Sequence, residues 1–236
     1  MKNIAIIFLL SILTVQAEGQ ILKDANRLLK QGTGKLTEKD ATDGIREALV
    51  KGTGEAVKVV SNVDGYFKNP EIKIPFPEDA KVVESKLRAI GLGNKVDEVI
   101  LTINRAAEDA AKEATPIFVS AIKSMTVKDA VNIVKGSDTA ATSYLRQTSS
   151  PELKNKFQPI IRTSLDKVDA TKYWTDLINT YNKIPMVKKM NPDLTAYVTG
   201  KAIDGLFVMV GKEEYKIRKD PKARTTELLR KVFGQK

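Results

Sequence analysis

The chain has 236 residues, 42% of them hydrophobic, a formal net charge of +10, and neither cysteine nor histidine. Those two absences remove the base of any Ser-His-Asp or Cys-His nucleophile, the usual ligands of a structural zinc site, and any disulfide. What remains is carboxylate acid/base chemistry, Ser-Lys or Tyr-Lys chemistry, and oxygen-ligated calcium or magnesium, on a fold that must be stabilised by its core.

At the N-terminus, Lys2 precedes a nearly unbroken apolar run over residues 4–13, and "VQA" places small residues before a cut after Ala17. This is the pattern of a cleaved secretory signal peptide, and the run is well short of the roughly 20 residues that span a bilayer. No other segment reads as long and apolar enough to span. The expected mature chain is residues 18–236, a single all-α domain free in the periplasm, without the cysteine that a lipoprotein needs. Export sets nucleic acid aside as the target of the positive charge. An envelope protein or an anionic envelope component is the partner to expect, unless the lysines merely solvate helix surfaces.

Residues 21–30 read as a short amphipathic helix ended by Gly32 and Gly34. The glycine-rich "QGTGK" and "KGTGE" are not phosphate loops, because neither follows an apolar strand or has the required spacing. Thr37 is expected to cap a helix carrying Ile45, Leu49, Val57 and Val60, with Asp40 in its first turn and Gly52 and Gly54 bending or breaking it. In "YFKNPEIKIPFPED" three prolines and the alternation of Ile72, Ile74 and Phe76 predict an extended segment over residues 66–77, an edge strand lying across the bundle. Its Tyr66, Phe67 and Phe76 either cover the core or form a lip for a peptide or lipid. Pro77 and Glu78 then open a helix that stops at "GLG".

From about Asn94 a helical wheel places Val96, Val99, Ile100, Ile103, Ala107, Ala110, Ile117 and Phe118 on one apolar arc, with Arg105, Asp109 and Glu113 opposite. Asn104 and Glu108, with Asp97 and Thr115, fall within about 40° of one another at the border of that arc. Pro116 kinks or restarts the helix, with Thr115 as the cap of the new one. Thr126 caps "VKDAVNIVK", and "MTVKDA" echoes "LTEKDA" at residues 36–41 because both are helix starts. Further helices are expected from "SDTAATSYLRQ", from Ser150-Pro151 to about Lys167, from Thr171 to Asn182, from near Asp193, and over "RTTELLRKVF". In the penultimate one Glu213 and Glu214 share the apolar arc, with Arg218 one turn after Glu214. Together this is an all-α bundle of about eight to ten helices crossed by one extended Pro-rich segment.

The segments "DGYFKNPEIKIPFPE", "NRAAEDAAKEATPIF", "AIKSMTVKDAVNIVKGSDTAATSYLR", "AIDGLF" and "EEYKIRKDPKARTTELLRKVF" resemble, in that order, an exported bacterial family known as domain of unknown function 4197. The resemblance covers nearly the whole mature chain. It implies an envelope protein of one helical domain and carries no activity, substrate, cofactor or residue role.

Glu108 is the residue on which the chemical alternatives turn. With Asn104 it is either the general acid of a glycan hydrolase or lyase, in a helical cleft, or a buried carboxylate paired with an arginine of another helix. The arginines on offer are Arg146, Arg162, Arg218 and Arg224. Asn104, Glu108, Arg146, Glu213, Arg218 and Arg224 are therefore the candidate binding residues, and Glu108 is the sole catalytic candidate. Thr142, Tyr144 and Arg146 either bind a small anion or serve helix capping and packing. Ser143 and Ser164 have no lysine placed beside them. No calcium loop, metal site or cofactor motif is present in the sequence. The preferred expectation is a non-catalytic binding protein.

Overall fold

In the computed structural model, which describes residues 37–183, 185–186 and 188–234, the described chain forms nine α-helices and no strand. The signal segment and the short helix expected over residues 21–30 lie outside the described residues. α1 (Glu38–Ser61) begins one residue after Thr37, with Glu38 and Asp40 in its first turn, and runs unbroken through Gly52 and Gly54. An irregular strap, residues 62–77, leads to a 3-10 turn (Glu78–Ala80), α2 (Lys81–Ala89) and α3 (Gly93–Ala111). Then follow α4 (Ala114–Lys123), α5 (Val127–Lys135), α6 (Ala140–Asp166), α7 (Ala170–Tyr181), α8 (Leu194–Lys219), a second 3-10 turn (Pro221–Ala223) and α9 (Glu227–Phe233). The all-α bundle is as expected.

Several helix starts follow from local chemistry. Thr126 and Asp129 form a reciprocal capping box on α5, and Asp193 and Thr226 cap α8 and α9 through their side chains. Pro116 does mark a restart, since α3 ends before it and α4 takes it in its first turn. Thr115 is not the cap; it lies inside α4, exposed, and Glu113 holds the cap position without a side-chain bond.

The break expected at Ser150-Pro151 does not occur. α6 is one helix of 27 residues with Pro151 and Pro159 in its interior. Each proline removes a main-chain hydrogen bond, but the carbonyls so released belong to Gln147 and Asn155, exposed residues with water at hand. On the other side Ala141, Leu145, Ser149, Leu153, Phe157, Ile161 and Leu165 are all buried, one every four residues. Four residues turn a helix through about 400°, so this stripe precesses by about 40° per step. α6 accordingly packs on α3, α4, α5, α7 and α8 in turn. Its burial outweighs two lost hydrogen bonds.

α8 is the core helix. Gly205, Leu206, Phe207, Met209 and Val210 are buried in succession but for Val208, and α1, α3, α6 and α7 surround it. It departs from one expectation: by length and mean hydropathy alone α8 is able to cross a membrane. Its apolar window is 61% buried by neighbouring helices, which accounts for that hydropathy as core packing.

The expected edge strand does not form either. Residues 63–68 and 70–72 are turns, closed by bonds such as Gly65 N–H to Asn62 O (2.9 Å) and Lys73 N–H to Asn69 O (2.8 Å). Only the last residues before Pro77 are extended. The alternating side chains still point inward: Ile72, Ile74 and Phe76 are buried, Phe76 edge-on to Trp174 at 5.3 Å. Tyr66 is fully buried against α8, so it covers core and makes no lip.

The strap lies so close to α8 that a Cβ on Gly205 would sit 2.7 Å from the Tyr66 ring and 3.1 Å from Ile72 Cβ. Gly205→Ala is expected to destabilise the fold by about 1–3 kcal/mol through overpacking. Gly200→Ala, on the same helix with open space around it, is expected to stabilise by about 0.5–1 kcal/mol. Thermal unfolding of the two variants checks the opposite signs.

Candidate functional site

Asn104 and Glu108 lie one turn apart on α3 and face the strap, whose prolines and turns leave main-chain groups that no helix satisfies. Glu108 is 4% exposed. Its Oε1 accepts the amides of Tyr66 and Phe67, each at 3.1 Å, and its Oε2 accepts Arg105 Nη1 at 2.6 Å. Arg105 Nη2 donates onward to Asp64 Oδ1 at 2.6 Å, and Lys68 stands 2.9 Å from the other Asp64 oxygen. Asn104 is fully buried; its Oδ1 accepts Ile74 N–H and its Nδ2 donates to Ile74 O and Ile100 O, all at 2.8 Å. Its amide thus meets both main-chain groups of one strap residue, as a neighbouring strand would. Tyr66 completes the fastening by donating its phenol to Ala202 O at 2.6 Å.

The arginine expected beside Glu108 is present, but it comes from the same helix. Arg105, placed on the water-facing side by the wheel, bends back to bridge Glu108 and Asp64. Its guanidinium pKa is raised, first by Glu108 and then by Asp64. Asp64 is held below the usual carboxylate range by its hydrogen bonds with Lys68 and then Arg105. Burial, then the Glu108 charge, pushes the Tyr66 phenol far up. Two grooves flank the strap, one between Phe67, Pro75, Arg88 and Asp97, the other between Ala80, Trp174, Met190 and Tyr197. Neither Glu108 nor Asn104 lines them. Tyr197, which does, gives its phenol to Pro75 O at 3.2 Å, and burial followed by the Glu78 charge pushes its pKa up to about 12.

Glu214 and Arg218 form a second buried centre. Glu214 Oε1 accepts Ala141 N–H at 3.0 Å, and Oε2 accepts the Thr142 amide at 2.8 Å and the Thr142 hydroxyl at 2.6 Å. These are first-turn amides of α6, whose own cap residue Thr139 accepts none of them through its side chain, so α8 supplies the cap. Negative charge is favoured at that end of the helix. Arg218, with its side chain 5% exposed, donates Nε to Glu214 Oε1 at 2.9 Å and Nη2 to Ile133 O at 2.9 Å near the end of α5. Arg224 donates to Ile217 O at 3.0 Å and Arg218 O at 2.7 Å, closing the end of α8.

The remaining candidates are apart from these. Glu213 meets Lys216 at 2.5 Å, and Arg146 pairs with Asp204 at 2.7 Å while covering the Phe207 ring at 4.6 Å. Tyr144 donates its phenol to Ala121 O at 3.4 Å. The structure therefore joins Asn104 with Glu108, and Glu214 with Arg218 and Arg224 at the end of α8. It brings no two of these carboxylates together across a cleft. Among the described residues no three acidic side chains converge as a metal ion needs. Sequence reasoning missed Asp64, Arg105 and Tyr66 as parts of the Glu108 network. The signal that pointed there was "DGYF" followed by three prolines, a stretch whose amides need partners.

A family model described as a protein of unknown function, DUF4197, matches residues 35–234, and the chain belongs to that family. No curated protein and no solved structure matches it.

Glu108→Ala strands one buried and one half-buried amide and half of the Arg105 pairing, and is expected to cost about 3–5 kcal/mol. Glu108→Gln keeps an acceptor for the amides and is expected to cost less, about 1–3 kcal/mol; denaturant unfolding separates the two. The depressed Asp64 pKa stabilises the fold fully above the ordinary carboxylate value near about 4, and this contribution fades as pH falls through the lowered value. Asp64→Asn tolerates the left-handed backbone there (φ +69) and is expected to flatten the acid side of a stability–pH curve.

Proposed function

We propose that this member of an uncharacterised family is an exported, non-catalytic binding or interaction protein of the bacterial envelope. Its partner is an envelope protein or an anionic envelope component. One observation carries the non-catalytic part: Glu108, the carboxylate best placed by sequence for acid chemistry, is buried and lines neither groove, with both oxygens engaged by two main-chain amides and a guanidinium. A glycan hydrolase or lyase needs that proton donor beside an open cleft. The leading apolar run and the net charge of +10 support export and an anionic partner.

In cells expressing the full chain, osmotic shock is expected to release a product that begins at Glu18. Retention in the cytoplasm with Met1 or Lys2 still at the N-terminus would overturn export. The released protein is expected to leave isolated envelope glycan uncut. Cleavage that Glu108→Gln abolishes, at a temperature where the variant is folded, would restore the enzyme.

A further inference from the structure

Charge is unevenly distributed over the chain. Residues 150–192 hold eight Lys or Arg against four Asp or Glu. Of those eight, among the described residues, only Lys188 has a carboxylate at ion-pair distance, Asp79 at 3.0 Å. Elsewhere cations commonly stand beside acids, as in Lys39–Asp43, Lys95–Glu98, Lys112–Asp109 and Lys219–Asp138. The unpaired cations include Lys183 and Lys189, which flank the loop between α7 and α8.

That loop is anchored at its base, and its Pro185 and Met186 are exposed. Asn182 Nδ2 donates to Met190 O at 2.9 Å, and Asn182 Oδ1 accepts Met190 N–H at 2.8 Å, so one side chain clasps the two ends together. Met190 is buried in the core, which fixes the clasp. Beyond it Met186 is 105% exposed, with φ at +66, and Pro185 beside it is exposed. A single exposed apolar residue is ordinary on a protein surface. A methionine held out on a clasped loop and fringed by Lys183, Lys188 and Lys189 is a different arrangement. The apolar tip suits the acyl boundary of a lipid layer, and long lysine stems keep their ammonium groups at headgroup level.

We infer that this loop docks the protein on an anionic lipid surface, Met186 entering the interface and Lys183 and Lys189 meeting headgroup phosphates. The inference rests on the binding-protein function proposed above and names its anionic component. The surplus cations Lys154, Lys156, Arg162, Lys167 and Lys172 add a field of the right sign to draw the chain to such a surface. Together the lysines and the apolar tip supply the two signals that reversible membrane attachment needs.

Residues 18–236, which contain the whole compact unit Glu38–Lys236, are sedimented with vesicles of phosphatidylethanolamine and phosphatidylglycerol, or of phosphatidylcholine alone. Binding is expected to the anionic vesicles, to weaken with salt, and to be slight on the neutral ones. K183Q/K189Q is expected to lower the partition coefficient about fivefold per lysine, and M186D by at least about tenfold. Both variants are expected to melt with the parent, since none of the three side chains makes a polar contact among the described residues. Absence of binding to anionic vesicles, or equal binding by both variants and the parent, would overturn the inference. So would a loss confined to K183Q/K189Q with heparin bound equally well, which marks a polyanion site instead. Failure on vesicles with export intact leaves the broader function standing. Vesicle binding by a chain that cells do not export reverses that pattern.

Discussion

The strap cannot satisfy its own main chain. Residues 62–77 carry three prolines and a succession of turns, so they form neither a helix nor a ladder, yet they cover the core with Tyr66, Ile72, Ile74 and Phe76. Burying that much apolar surface brings amides out of water, and a buried amide without an acceptor costs about 1–3 kcal/mol. α3 resolves the conflict by presenting Glu108 to two amides and Asn104 to both polar groups of Ile74. A neutral acceptor at position 108 would serve the amides alone. The carboxylate also recruits Arg105, and through it Asp64, so the start of the strap is tied to the same helix.

The Glu214 centre solves the same problem for helix ends. α6 begins with Ala141 buried and Thr142 half-buried, and the acceptor for their amides comes from a different helix 72 or 73 residues away. Arg218 balances the charge and takes a carbonyl near the end of α5. Three helix termini thus meet at one ion pair, with Arg224 finishing α8. Burying such a pair does little for net stability compared with apolar side chains of the same size. What it fixes is orientation: a slide of α8 along its axis moves Glu214 away from the amides of α6.

Much of this was legible in the residues, and the failures have identifiable causes. The 3.6-residue period placed the helices and put Asn104 and Glu108 at the edge of the core, because periodicity reports where Cβ atoms point. It misplaced Arg105 for the same reason: the wheel gives the direction of a Cβ, and an arginine's donors lie far beyond it. Pro151 reads as a helix start because proline is costly inside a helix, but the cost depends on whether the released carbonyl is wet. The alternation of Ile72, Ile74 and Phe76 correctly gave three inward side chains and wrongly gave a strand. Alternation needs only local extension, and a ladder needs a partner strand. The donors that hold Glu108 Oε1 are main-chain amides 41 and 42 residues distant, and helical periodicity does not announce those.

The bond from Tyr66 to Ala202 joins positions 136 apart in sequence. Contacts of such separation are slow to form, because a long loop must close before they return anything. As a ribosome makes the chain, α1, the strap and α3 are finished long before α8 exists, and in that interval the cavity that Tyr66 will fill has only part of its wall. Glu108 and Asn104 can seat the strap early, being 30–42 residues from their partners, but the final lock waits for the C-terminal quarter. Chains ending before α8 therefore lack the carbonyl that fastens Tyr66, and the arrival of α8 is the event that closes the fold.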